Sequence, residues 1–241
     1  MLPLPIGRIA AILLAAGSGT RFGSDIPKQF LPLAGKPLFL YALEQLYQSA
    51  FFDEICVAVP KNWLSWAEKQ VKNFARIVEG GDTRQESSRK ALEALKIKPE
   101  LVLIHDAARP FISQEIIQKS LESGWAHGAA DVCIPSVDTL VYSPNRNFIE
   151  AIPQRSHFLR GQTPQVFHYE IITNAHAFAK QQKIENASDD CRLVLEMGRQ
   201  VAIVQGSETN LKITSPVDLQ LAETLLLQPP QQDETEFLRR T

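Results

Sequence analysis

The sequence predicts an α/β domain of three layers, a mostly parallel sheet covered on both faces by helices, with an antiparallel β-arm inserted in its second half. Three observations carry this expectation. Short, continuous apolar runs alternate with stretches of helical periodicity. The runs lack the in-out alternation of a sheet with one wet face, so they read as strands buried on both sides. Between Ser136 and Arg160 two strand-like runs joined by a turn follow each other with no helix between them.

Taken in order, residues 9–14 form the first buried strand and open into a Gly-rich loop. Pro37 at a first helical position leads into Leu40, Leu43, Leu46 and Tyr47 at helical spacing. Residues 55–59 make a strand stopped by Pro60, and 63–74 a helix with apolar positions 63, 64, 67, 71 and 74. A weak strand at 75–78 meets Gly80-Gly81-Asp82, where Asp82 can cap a helix running to about Leu95. Residues 101–104 are a clear strand ending in His105-Asp106-Ala107-Ala108-Arg109-Pro110. Ser113 caps a helix with Ile116, Ile117 and Leu121 on one face, and 129–134 supply another strand. The arm follows, with strands at 137–142 and 148–152 joined by a turn. Such an arm leaves apolar side chains uncovered unless a symmetric partner covers them. Beyond it come helices near 170–180 and 189–197, a strand at 201–204, a short apolar strand at 211–213, and a last helix from Ser215-Pro216 to about Leu227. Residues 1–227 are expected to form one domain, and 228–241 a poorly ordered tail.

The chain of 241 residues carries 25 Lys and Arg against 27 Asp and Glu, with 44% hydrophobic residues. That composition excludes a disordered or collagen-like chain. A net charge of −2 argues against a broad nucleic-acid surface, so any phosphate chemistry rests on a few local cations. Cys56, Cys133 and Cys191 are far apart and match no zinc or redox spacing, which reads as a reduced, cytoplasmic protein. The early apolar run is about half the length of a membrane span, and only Arg8 precedes it as a basic flank.

The most informative segment runs from Leu14 to Lys28. Small residues at Ala15, Ala16, Gly17 and Gly19 let backbone N–H groups approach a ligand and form an anion-binding nest, while Arg21 and Lys28 add positive charge. A polyphosphate suits this loop; the plainer alternative is a Gly-rich turn with two solvated cations. The dinucleotide fingerprint fails, because Phe22 stands where the third glycine belongs, and so does the P-loop pattern, because Lys28 follows no glycine. Asp106, at a strand end beside that loop, can hold Mg²⁺ together with phosphate oxygens, or merely cap a turn. His105 reads as a hydrogen-bonded structural residue. The Gly80 to Ser87 turn offers free N–H groups and hydroxyls for a base or ribose, or is an ordinary helix start. Arg155, Thr163 and Lys212 would each alone be structural, although Lys212 at a sheet's carboxyl edge is suited to a phosphate. Trp63, Trp66 and Trp125 lie in helical patterns and read as packing residues.

Six segments in one order, 14–21 with Pro27-Lys28-Gln29, Gly80-Gly81-Asp82-x-Arg84, 105–110, Asp138-Thr139, Gln162 to Gln165, and 211–214, resemble the 2-C-methyl-D-erythritol 4-phosphate cytidylyltransferases across about residues 9–227. The resemblance implies a Rossmann-like nucleotidyltransferase fold, transfer of a cytidylyl group from CTP to a polyol phosphate with release of pyrophosphate, Mg²⁺, and a homodimer clasped by the arms. It places Arg21 and Lys28 around the α-phosphate and Arg155 and Lys212 around the attacking phosphate. Ala15, Ala16, Gly17, Gly19, Gly81, Asp82, Ser87 and Ala107 fall at CTP positions. Asp106 falls at the metal and substrate, and Arg109, Thr139 and Thr163 in the acceptor pocket, some supplied across the dimer. Two stretches depart from the family pattern: Ile152-Pro-Gln before Arg155 with Phe158-Leu-Arg-Gly after it, and Ser188-Asp-Asp-Cys191. Both are also similar to the related ribitol 5-phosphate cytidylyltransferases, the alternative acceptor. From other classes, a CTP-binding module without turnover and a nicotinamide oxidoreductase remain as alternatives, the second disfavoured by the broken glycine pattern.

Overall fold

The strand Ile9–Leu14 (β1) is buried between two apolar layers, because its side chains have apolar partners on both faces. The computed structural model describes residues 7–17, 26–71 and 73–227; the expected tail lies outside them. After β1 come a small hairpin, Pro32–Leu33 (β2) with Lys36–Pro37 (β3), and the helix Leu38–Gln48 (α1). Then follow Glu54–Val59 (β4), Leu64–Val71 (α2), Arg76–Glu79 (β5), Arg84–Ala94 (α3), Leu101–Asp106 (β6), Gln114–His127 (α4) and Ala129–Pro135 (β7). The arm separates β7 from Leu159–His168 (β8), Tyr169–Gln182 (α5), Asp190–Glu196 (α6), Ala202–Gln205 (β9) and Pro216–Leu227 (α7).

Seven strands form one sheet in the order β5-β4-β1-β6-β8-β7-β9. β5, β4, β1 and β6 are parallel, as is the pair β7 and β9, while β8 runs antiparallel to both its neighbours. The period of two in β1 divides the core. Ile9, Ala11 and Leu13 face Phe39, Leu43 and Leu46 of α1, Val71 of α2, and Ile117 and Leu121 of α4. Ala10 and Ile12 face Leu92 of α3, Ile172 and Ala175 of α5, and Val194 of α6. Each fully buried Leu, Ile or Phe contributes about 1.5–3 kcal/mol by leaving water. A smaller cluster of Leu33, Leu38, Ile213 and Ala222 fixes the segment before α7 against the small hairpin.

The three-layer, mostly parallel architecture is as expected, with four local corrections. The longest strand, β8, has no counterpart among the expected ones: Gly161, Pro164 and the polar Gln162, Thr163 and Gln165 interrupt the apolar pattern that betrays a buried strand. Its register with β7 shifts between Asp131 and Cys133, and that irregularity accommodates Pro164, which has no N–H to give to a ladder. The helix cap is Thr83 rather than Asp82, its side chain accepting from the N–H of Glu86. Residues 211–213 are not a strand; Ile213 N–H donates to Ala108 O across a loop. The arm carries a single antiparallel bridge, Tyr142 with Ala151, instead of two strands. A lone hairpin with no third strand or helix to pack on is marginal, and here Val141, Tyr142, Phe148, Ile149 and Ile152 are all exposed. Among the described residues no helix is long and apolar enough to cross a membrane.

Candidate active site

The carboxyl ends of β1 and β6, the turn between β5 and α3, and the loop before α7 enclose a pocket of about 470 Å³. A parallel sheet directs its strand-end loops to one edge, so the edge is where ligands bind. From the loop after β1 come Ala16 and Gly17. The short helical turn Lys28–Phe30 follows, and its position is fixed from both sides. Phe30 packs into an aromatic group with Phe39, Trp63 and Trp66, the packing role expected of those tryptophans. Gln29 is buried and donates through Nε2 to Ala15 O at 2.6 Å and Gly17 O at 2.9 Å. Lys28 is therefore held at the pocket wall, with Nζ donating to Ile213 O at 2.8 Å.

The opposite wall is the turn into α3. Gly80 packs so tightly on the loop after β1 that a Cβ there would collide with the Ala16 side chain. Gly81 N–H donates to Ser87 Oγ at 3.0 Å, and the Ser87 hydroxyl donates on to Thr83 O at 2.8 Å, which fixes the turn. Gly81, Asp82 and Ser87 all line the pocket.

Asp106, the last residue of β6, forms the floor. Lys212 Nζ donates to Oδ2 at 2.6 Å and Arg84 Nε to Oδ1 at 3.2 Å. Burial would raise the Asp106 pKa, but Arg84 and Lys212 outweigh it and hold the carboxyl well below the usual range. Its backbone N–H donates to Thr163 Oγ1 at 3.1 Å. The Thr163 hydroxyl lies 2.8 Å from His105 Nδ1, whose Nε2 lies 3.0 Å from Arg109 O. A carbonyl only accepts, so Nε2 carries the proton and Nδ1 accepts from Thr163. His105 is fully buried and its pKa is pushed down to about 4 by that burial, which agrees with a neutral, structural imidazole.

The structure thus brings Ala16, Gly17, Lys28, Gly81, Asp82, Ser87, Asp106 and Lys212 to one pocket. Ala15 and Ala107 are buried immediately behind it, and Ala107 N–H donates to Leu14 O. Gly19 and Arg21 lie outside the described residues. Thr163 supports the floor from beneath. Arg109 does not line the pocket: its guanidinium donates to Asn210 O and Gly161 O, a buried tie between loop and strand. Thr139 and Arg155 sit exposed on the arm, Arg155 donating to Val137 O at 2.7 Å, and neither lines this pocket. Burial raises the thiol pKa of all three cysteines, to about 12 for Cys56 and Cys133, so none is poised as a nucleophile.

The family model for 2-C-methyl-D-erythritol 4-phosphate cytidylyltransferase (IspD) matches residues 9–228. The chain belongs to that family. It is a nucleotidyltransferase, and its activity is cytidylyl transfer from CTP to 2-C-methyl-D-erythritol 4-phosphate in isoprenoid precursor synthesis. The cytidylyltransferase fold is shared with the solved enzyme of Thermus thermophilus, at 36% identity, TM-score 0.75, and 89% of this chain against 97% of that one. The 4-diphosphocytidyl-2C-methyl-D-erythritol synthase of Anaerococcus prevotii is 28% identical, with TM-score 0.79 over 92% and 99% of the two chains. The Francisella tularensis enzyme is 27% identical, with TM-score 0.77 over 90% and 99%.

Three polar residues of this cytidylyltransferase site carried no assigned role in the sequence. Arg84 bridges Asp106 and Asp190, Gln165 accepts from both Arg84 and the Asp190 N–H, and Asn210 donates to Thr163 O. Arg84 and Gln165 had a signal, their places in the Gly-Gly-Asp-x-Arg turn and the Gln-Thr-Pro-Gln segment. Asn210 had none beyond being a polar residue in a loop that turns out to be buried.

Proposed function

We propose that CTP lies with its triphosphate between the loop after β1 and Lys28, and its nucleoside against the Gly81 to Ser87 turn. The observation that carries this is the convergence of Lys28, Lys212 and Asp106 on the pocket that Gly17 lines, beside the Gly80 backbone packed close on Ala16. Arg21 and Lys28 stabilise charge on the α-phosphorus as it becomes five-coordinate, and Lys212 receives the acceptor's phosphate. That phosphate monoester is already a nucleophile. Its oxygen forms the new bond to the α-phosphorus while the bond to the β-phosphate oxygen breaks, and pyrophosphate leaves. No general base is needed, so positioning and fixed positive charge do the catalysis.

Magnesium fits this site as a companion of the triphosphate rather than as a caged ion. Among the described residues no group of three or more His, Cys, Asp or Glu side chains gathers, and Asp106 offers one carboxylate at the floor. Mg²⁺ is commonly held by one or two carboxylates plus substrate phosphates. Asp106 would hold it, and when bound it would neutralise charge on the departing pyrophosphate. Lys212, partly exposed, can leave Asp106 when a phosphate arrives.

Thr139 and Arg155 fit the reading if the arm of one copy reaches the pocket of a second. The exposed apolar residues of the arm support a homodimer on this element. Residues 1–227 act as one catalytic domain, and the protein works in the cytoplasm. The 152–161 stretch favours testing ribitol 5-phosphate as a second acceptor. Pyrophosphate release from CTP, measured with each polyol phosphate offered separately, tests the methylerythritol phosphate activity and whether ribitol 5-phosphate is accepted as well. Turnover with methylerythritol phosphate is expected; turnover with ribitol 5-phosphate alone overturns the acceptor, and CTP binding with neither acceptor turned over leaves a binding module.

A further inference from the structure

Arg84, which itself lines the pocket beside Asp106, opens a polar network that runs inward to buried partners and that the reaction as described above does not use. Arg84 leaves the first turn of α3 and meets three acceptors from three other elements. Its Nε reaches Asp106 Oδ1 of β6 at 3.2 Å, Nη1 reaches Asp190 Oδ2 of α6 at 2.7 Å, and Nη2 reaches Gln165 Oε1 of β8 at 3.3 Å. Each of these partners is itself held. Asp190 is the first residue of α6 and is almost wholly buried; its other oxygen is 3.0 Å from His176 Nε2, and its N–H donates to Gln165 Oε1. Gln165 Nε2 donates to Asp131 Oδ1 at 3.2 Å.

The charges explain why the network exists. Two carboxylates, Asp106 and Asp190, point at one guanidinium, and an isolated buried carboxylate is costly. Lys212 is the second cation on Asp106, but it is twice as exposed as Arg84 and belongs to a loop. When Lys212 turns to a phosphate, Arg84 is the cation that stays with Asp106. A lysine could not do the same, because one ammonium cannot address Asp106, Asp190 and Gln165 in a single plane as the guanidinium fork does.

We infer that Arg84 is a positioning residue for cytidylyl transfer, clamped by Asp190 and Gln165 so that it holds the Asp106 carboxylate in its working orientation throughout the reaction. Asp190, backed by His176, acts through Arg84 and not on substrate. The inference rests on the reading of Asp106 as a substrate-side carboxylate. A misplacement of about 1 Å at a reacting group can cost on the order of 10²-fold in rate.

The test is a double-mutant cycle on Arg84→Gln and Asp106→Asn, with kcat and the KM for CTP measured for each variant and thermal melting as the folding control. Arg84→Gln is expected to lower kcat about 10- to 100-fold with the KM for CTP changed less than about threefold. In the Asp106→Asn background the same substitution is expected to cost less than about threefold. Arg84→Lys, which keeps the charge and loses the fork, is expected to recover little of kcat. An equal loss from Arg84→Gln in both backgrounds, or full recovery by lysine, overturns the inference while leaving Asp106 in its role. Wild-type turnover by Asp106→Asn overturns the role of Asp106 and the inference with it. If Arg84→Gln does not fold, Asp190→Asn, which is nearly isosteric, takes its place in the cycle with the same outcomes.

Discussion

Replacing Thr163 by valine tests the floor of the site at a single atom. Valine has nearly the same shape, so the substitution removes a hydroxyl and leaves little cavity; it is not conservative, because the hydroxyl has two buried partners. Asp106 N–H loses its acceptor at 3.1 Å, and His105 Nδ1 loses its donor at 2.8 Å. Leaving one buried polar group unsatisfied costs about 1–3 kcal/mol, so the two together should cost about 2–6 kcal/mol of stability. Urea unfolding would show this as a lowered midpoint at unchanged slope. Thr163→Ser keeps the hydroxyl and should lose only about 1 kcal/mol, the worth of a buried methyl. Because the freed amide belongs to Asp106, kcat of the valine variant should fall as well. A loss below about 1 kcal/mol for Thr163→Val at unchanged slope would refute the reasoning, since it would mean that neither partner depended on the hydroxyl.

Three further outcomes are expected. Lys28→Ala should lower kcat by about 10² or more, the scale of losing one preorganised donor to transition-state charge; an unchanged kcat would remove Lys28 from the phosphate site. His105 has its pKa lowered from 6.5 to about 4 by burial, so between those values the unfolded chain binds a proton that the folded one refuses. Stability should therefore drop as pH falls through that window, by about 3 kcal/mol from this group, and His105→Gln should flatten that slope in unfolding curves; an unflattened slope would assign it elsewhere. If the proposed homodimer is clasped by the arm, deleting residues 141–148 should yield monomers in light scattering, and a surviving dimer would take the clasp away from the arm.

The parallel half of the sheet was legible because burial on both faces writes a strand as a continuous apolar run, and β1, β4 and β6 obey that rule. β8 does not, for a reason tied to function. Its Gln162, Thr163 and Gln165 are buried because they support the site, and their polarity hides the strand. Leu211 and Ile213 misled in the opposite sense: they are apolar to pack on the cluster around Leu33 and Leu38, not to continue a sheet. In the site, residues whose backbone or charge faces the pocket were legible as motifs. Arg109 was expected among them and is instead a buried tie outside the pocket lining, since local sequence does not say whether a guanidinium turns to a ligand or to carbonyl oxygens. The linkage of Arg84 to Asp190, 106 positions apart, has no local signature at all.

The ion pair of Asp106 with Lys212 also spans 106 positions, and Lys212 is followed by only one more helix in the described chain. During synthesis the sheet's parallel half can assemble while the pocket still lacks Lys212, the carbonyl of Ile213 that receives Lys28, and the Asn210 side chain that grips Thr163 O. A growing chain therefore acquires its nucleotide loop long before it acquires a working pocket. Products cut short before Asn210 would carry the early motifs without a complete pocket, so arrival of the segment from Asn210 to Ile213 is the event that closes the site.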